Sequence, residues 1–253
     1  MNKVLLATLL SCTIGNVYSA CNYDLEGFIN DPENPTAQKF PTVIGQKVTY
    51  KIINSPKDIT YSANHSAYNN NNGTLTGLLP TSNNGIVGFE LRVDTISEEL
   101  KETNTDVKTF NIVGLGANND PIGITAIFAN NSDIQNYKKP LLIWVIQKNS
   151  STNENEITYS YLQPYDSTPT QNIGIYLNQN TNQLGLIVNK KNLGYVTSLK
   201  SKLKSITFQP QAFIKGFEAN SQYLNKTMSM ELVTDKSKFT NAFPTGTTDI
   251  CGN

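Results

Sequence analysis

One histidine, one arginine and one tryptophan are all that this chain of 253 residues holds of those three types. The histidine, His65, lies in the polar run Ser62-Ala63-Asn64-His65-Ser66. A Ser-His-Asp or Cys-His centre would have to use it, and its Asn-containing loop offers it no partner for nucleophilic work. It reads as an ordinary exposed loop residue. Histidine zinc sites usually need more than one such ligand, so no metal and no cofactor is expected. Charge of one sign is also lacking: 20 basic and 20 acidic residues leave a formal net charge of zero. Nucleic acid needs clustered cations to displace its counterions, which excludes it as a partner. The one basic cluster, Lys200, Lys202 and Lys204, reads as a solvated edge. Beyond the first twenty residues no apolar run is long enough to span a bilayer as a helix. The longest, residues 141–146, has the length of a buried strand. No transmembrane span is expected.

Cysteine is scarce, and its placement is informative. Met1, Asn2 and Lys3 make a weakly positive start, residues 4–14 are apolar, and residues 15–20 are small and polar. That is the pattern of an export signal. Cleavage after Ser19, with Val17 at the −3 position, makes residues 1–19 a signal peptide and 20–253 the mature chain. A second reading makes Cys21 the lipid-bearing first residue of a lipoprotein, a chemistry that Tyr18 at −3 suits poorly. Cys12 leaves with the signal. Cys21 and Cys251 then meet an oxidising compartment and are expected to form a disulfide joining the ends of the mature chain. The closed loop of about 230 residues gives roughly 5 kcal/mol in the chain-entropy account, as an upper figure. The destination is the periplasm, the cell surface or the medium.

What is there is strand after strand. Val48, Tyr50 and Ile52 alternate with polar residues, and so do Val87, Phe89, Leu91 and Val93. Residues 122–128 form a short β-branched run bounded by Pro121 and Asn130. Ile157, Tyr159 and Tyr161 share one face of another alternating run, as do Met228, Met230 and Leu232. Period-two alternation punctuated by Asn, Gly and Pro marks half-buried antiparallel strands. About ten to twelve such segments predict one all-β antiparallel sandwich of jelly-roll type over residues 20–253. Ser97 is a candidate N-cap for one short helical turn through Lys101.

Residues 172–196 form the clearest unit. Ile173, Ile175 and Leu177 share a face, residues 178–182 turn the chain, and Leu184, Leu186 and Val188 return. Residues 189–192 turn again into Leu193-Gly194-Tyr195-Val196. This predicts a three-strand meander with Gly174, Gly185 and Gly194 on the opposite face, where another segment approaches closely. The run from Gly174 through Leu177-Asn178, Thr181, Leu184-Gly185-Leu186-Ile187-Val188-Asn189 to Gly194 resembles the meander of concanavalin A-like sandwiches, found in lectins and SPRY-type domains. Over its whole length the chain also resembles an uncharacterised family of secreted bacterial proteins. These begin near Cys21-Asn22-Tyr23 and end near Phe243-Pro244-Thr245-Gly246 and Asp249-Ile250-Cys251-Gly252. That resemblance implies an envelope location and carries over no catalytic residue.

Jelly-roll glycosidases work with paired carboxylates. Glu90 and Asp94 share a strand face but stand roughly 13 Å apart along it, with Arg92 between them, and read as a surface ladder. Calcium sites need clustered Asp, Asn and carbonyl oxygens. Residues 118–120 and 165–167 are compatible with that and so is any Asn-rich loop. Trp144, in the most apolar run, reads as core. Tyr161, Gln163, Tyr165 and Asp166 are the candidate exposed ligand-binding cluster. The leading reading is an exported envelope or secreted binding module for a glycan or a cell-surface component. The alternative is a jelly-roll glycan-cleaving hydrolase whose carboxylates come from separate strands. An outer-membrane barrel, with its apolar outer band and aromatic girdles, fits least.

Overall fold

Alternation with a period of two runs through the long strands and sorts their side chains into a shared interior and two outer faces. The computed structural model describes residues 23–28, 36–54, 57–71, 74–101, 103–131, 137–149, 152 and 154–253. The expected signal peptide and Cys21 lie outside the described residues. The first half carries β1 (Gln38–Lys39), β2 (Thr42–Ile44), β3 (Lys47–Lys51), β4 (Ile59–Ser62), β5 (Asn69–Asn71), β6 (Thr74–Thr76), β7 (Leu79–Pro80), β8 (Ile86–Asp94) and β9 (Thr105–Gly116). Then follow β10 (Pro121–Asn130), β11 (Pro140–Lys148), β12 (Asn155–Pro164), β13 (Thr170–Asn178), β14 (Gln183–Val188), β15 (Lys191–Ser198), β16 (Leu203–Lys215), β17 (Thr227–Val233) and β18 (Thr247–Asp249). One 3-10 turn, Lys236–Lys238, is capped by Asp235. No helix among the described residues is long and apolar enough to cross a membrane.

Two sheets share sixteen of these strands, and β5 and β6 pair only with each other. The first runs β1-β4-β16-β9-β10-β11-β12, with β7 also on β16; the second runs β15-β14-β13-β8-β17-β3-β2, with β18 also on β8. Neighbours are antiparallel except β1 with β4 and β18 with β8. Both sheets are open, with edge strands, so the fold is the expected sandwich and not a barrel. Their inner faces meet in one apolar core. Val87, Phe89, Leu91 and Val93 of β8 face Phe110, Ile112, Phe208 and Ile214 of the first sheet, all buried. The Phe89 and Phe208 rings stand edge to face, 4.9 Å apart, the geometry that aromatic quadrupoles favour.

The meander is as expected: β13, β14 and β15 pair in sequence. The β14–β15 turn holds Asn189 at φ 47° and Lys190 at φ 70°, the backbone of a tight two-residue hairpin. Sequence did not single out β9. Its alternation is disguised because Asp106 and Lys108 take inward positions. The two are ion-paired and 2% and 1% exposed. The Tyr50 hydroxyl donates to Asp106 at 3.0 Å from the facing sheet. Burial and the Asp106 charge hold that phenol well above its usual range. The expected helical turn at residues 97–101 is absent. Its backbone is held by the Asn130 side chain, which accepts from Leu100 N–H and donates to the Ile96 and Glu98 carbonyls.

The segment 23–28 closes one side of the sandwich. Leu25 N–H donates to the Gly45 carbonyl, and Gly27 bridges to Asn64. β16 pairs with β7 at 205–206 and with β4 at 211–214. Between those stretches the Phe208 N–H donates to the Tyr23 hydroxyl at 2.8 Å. A side chain thus completes the ladder where no strand does. Burial pushes the Tyr23 phenol up to about 12.

Candidate functional site

The outer face of the first sheet is built from the residues that alternate away from the core. In β9 these are the odd-numbered positions, and in β10 they include Gly123, Thr125 and Ile127. Thr125 pairs with Asn111 on one side and with Trp144 on the other, and Trp144 pairs with Ser160. Gln209 continues the row from Asn111 onto β16. One cross-strand row therefore reads Gln209, Asn111, Thr125, Trp144, Ser160. The Thr125 hydroxyl donates to the Asn111 amide oxygen at 3.3 Å. Beside Trp144 lie Ile146 and Gly123. A Cβ added at Gly123 would meet nothing nearer than Ile146 at 3.6 Å, so the floor there is open. No outward position of β9, β10 or β11 from 107–146 carries a charge.

Trp144 is thus half-exposed on an outer face and not in the core as expected. The run at 141–146 is apolar on both faces of its strand: Leu141, Ile143 and Val145 point inward, and Leu142, Trp144 and Ile146 outward. Period two assigns faces, but only the second sheet decides which face is covered.

The four residues expected to bind ligand are not one exposed cluster. Tyr165 is buried, with its hydroxyl 3.5 Å from the Ile96 carbonyl and Lys139 over its ring. Desolvation holds its phenol well above the usual range. Asp166 is exposed but folds onto its own loop, accepting from Thr168 N–H at 2.9 Å, Gln171 at 3.1 Å and Asn189 at 3.0 Å. Desolvation would raise its carboxyl, and the hydrogen bonds from Thr168, Gln171 and Asn189 outweigh that and lower it. Tyr161 is half-buried on the inward side of β12, and Gln163 is exposed. A register shift opposite Val145 and Ile146 inserts one residue into β12. It turns Ile157 outward, 52% exposed, while Tyr159 and Tyr161 point inward. A bulge inverts the phase of alternation, which is why the expected shared face of these three residues is split.

The outer face of the second sheet is covered. Residues 235–246 cross it as a strap. Glu90 is fully buried beneath it and accepts from Thr240 N–H at 2.8 Å, Asn241 N–H at 2.6 Å and Arg92 at 3.0 Å. Arg92 also pairs with Glu231. Asp94 accepts from Ser229 and Thr170. The expected ladder exists, but its first member is sealed under the strap and is not a surface group. Phe243 lies against Gly88 and Gly174, where a Cβ would come within 3.0 Å of its ring. Gly174 therefore faces a close-packed segment, as expected, and Gly185 lies under the Tyr176 ring.

His65 is not a plain exposed loop residue. Its Nδ1 lies 3.2 Å from Asp24, and its ring stacks on Tyr23 at 4.5 Å. Desolvation would raise the Asp24 carboxyl, but hydrogen bonds from Glu26 and Ser66 prevail and hold it below its usual range. Elsewhere, a polar cleft of about 390 Å³ is lined by residues that include Glu99, Lys101, Glu218 and Tyr223. Both glutamates are exposed there. Residues 118–120 form the β9–β10 turn, with Asn119 at φ 62°. Among the described residues no three His, Cys, Asp or Glu side chains group as a metal site.

Several solved sandwiches superpose on this one. LamAcat from Zobellia galactanivorans gives a TM-score of 0.45 at 7% identity, covering 84% of this chain and 88% of that one. The legume lectin-like domain from Entamoeba histolytica gives 0.39 at 15% identity, covering 83% and 89%. At these values the likeness carries no functional argument. No curated protein matches in sequence. A family profile does match, over residues 10–253, and the chain belongs to DUF4882, a domain of unknown function.

Proposed function

We propose that the protein is a glycan-binding module whose binding surface is the outer face of the first sheet. One observation carries this: Trp144 stands half-exposed on that face, in a cross-strand row with Thr125, Asn111 and Gln209 on one side and Ser160 on the other, and no outward position of residues 107–146 is charged. A flat ring takes the apolar face of a pyranose, and neighbouring amides and hydroxyls take its hydroxyls. The absence of charge suits a neutral polysaccharide better than a sulfated or uronic one. Trp144→Ala, still folded, should weaken binding on a glycan array at least about thirtyfold. Binding unaltered in that variant overturns the reading.

A hydrolytic alternative rests on a different place. The Trp144 face has no carboxylate pair, whereas Glu99 and Glu218 line one cleft. Release of reducing sugar from neutral polysaccharide, lost in both Glu99→Gln and Glu218→Gln, would establish it. Export and a Cys21–Cys251 bridge belong to the same proposal. They are supported by the signal-like start of the chain and by Cys251 packing against the core. Intact mass of the exported protein decides: two hydrogens below the reduced form supports the bridge, and a diacylglycerol adduct on Cys21 refutes it.

A further inference from the structure

The polar cleft of about 390 Å³ lies where β9 begins and β16 ends, beside the pair Thr105 and Lys215. That volume falls in the range of small-molecule pockets, about 300–1,000 Å³. Its two walls touch at the base, where a Cβ on Gly216 would fall 1.7 Å from the Thr103 carbonyl. Asn104 lines the cleft and is only 8% exposed. Its N–H donates to the Lys101 carbonyl at 2.8 Å, its carbonyl accepts from Asn131 at 2.8 Å, and its Oδ1 accepts from the Thr103 hydroxyl at 3.0 Å. Its Nδ2 makes no hydrogen bond among the described residues. A donor held so firmly meets a ligand oxygen with little rotamer entropy left to lose.

Tyr223 gives the cleft a flat side. It is half-buried, and its ring stands edge to face on buried Phe217 at 6.3 Å. The charged members are Glu99, Glu218 and Lys101, all exposed. None of the three is ion-paired among the described residues. Two carboxylates against one ammonium leave the cleft with a single net negative charge.

We propose that this cleft binds an amino sugar, a pyranose that carries one protonated amine. Its ammonium goes to Glu99 and Glu218, the apolar face of its ring to Tyr223, and a ring or hydroxyl oxygen to the Asn104 Nδ2. Other ligands match fewer of these groups. A neutral hexose leaves both carboxylates without a cation. A polyamine offers Asn104 and Lys101 no acceptor. A metal ion takes oxygen ligands, and an amide N–H aimed at it is repelled. The site is separate from the Trp144 face. Thr105, beside the cleft, lies six residues along β9 from Asn111 of the Trp144 row, roughly 20 Å in a strand. The cleft reading therefore does not depend on the surface reading.

Titration of the mature protein with glucosamine at about pH 6, where the amine is protonated, tests it by amide chemical shifts. The amides of Asn104 and of residues 218–223 should move together along one binding curve. Glucose, which lacks the amine, and N-acetylglucosamine, in which the amine is neutral, should each bind at least about tenfold more weakly, the worth of one charge-assisted hydrogen bond. Glu99→Gln and Glu218→Gln, both at exposed positions, should each weaken glucosamine at least about fivefold, and Lys101→Gln should tighten it about twofold by removing a like charge. Equal affinity for glucosamine and glucose, shifts confined to other residues, or indifference to both glutamate variants overturns the proposal. Glucosamine bound here by a protein whose glycan-array binding survives Trp144→Ala would fail the surface reading and leave this one standing. Array binding lost in Trp144→Ala, with no glucosamine shift in the cleft, would do the reverse.

Discussion

The two outer faces of the sandwich are made by strands of the same kind and have opposite fates. The face of the second sheet holds Glu90, Arg92 and Asp94, and a strap seals it. The face of the first sheet holds Trp144, Asn111 and Thr125, and these stay partly exposed. Charge, which usually marks a wet surface, here marks the buried face. Glu90 is fully buried because two strap N–H groups and a guanidinium meet it, which removes the cost of leaving a buried carboxylate unpaired. The aromatic residue that usually marks a core lies on the open face. Carboxylates on a strand are therefore structural here, and the open face is left with the uncharged chemistry that suits sugar stacking.

That contrast can be broken most severely at the two ends of the buried axis. Phe89→Ala empties the centre between the sheets and should cost about 3–5 kcal/mol of unfolding free energy in urea. Glu90→Ala leaves the strap's N–H groups without an acceptor and should cost about 3 kcal/mol. The strap should then be cut early in limited proteolysis near residues 236–242. A Glu90→Ala protein as stable as wild type would mean that the strap holds itself. Trp144→Ala should cost only about 1 kcal/mol in stability, yet weaken neutral-glycan binding by at least about thirtyfold, the effect of losing a central aromatic anchor. The smallest effect expected is on acid stability. Asp24 sits below its usual range, so its contribution is present above the unfolded value near pH 4 and fades as pH falls through the folded one. Asp24→Asn should flatten the stability curve below about pH 4 and leave it unchanged in shape above pH 6.

The fold was legible because alternation, turn residues and the meander all point the same way. Residues 172–196 and β8 lie where the pattern put them. The site was far less legible, for reasons that can be named. Trp144 sits in a strand apolar on both faces, and no local pattern says which face a second layer will cover. Ile157 and Tyr159 were split by a bulge that one extra residue creates. Tyr165 is tucked against Ile96, sixty-nine positions away. Glu90 looked like half of a surface ladder, since the segment that covers it lies about 150 residues downstream. An uncharged outer face with one tryptophan was the available signal, and it shows only once the strands are in register.

The Tyr23 hydroxyl inserted into β16 sets an order of events. Its partner, Phe208, follows 185 residues later, and the strap that covers Glu90 is still further along the chain. Neither closure can form while the polypeptide is emerging amino end first. Contacts of such long sequence separation form late, since the ends must find each other before any reward is gained. The ladder gap at residues 207–209 therefore stays open until most of the sandwich exists. Closing it is a final seam, and a chain shortened at its start should fold to a body that remains unsewn along that one side.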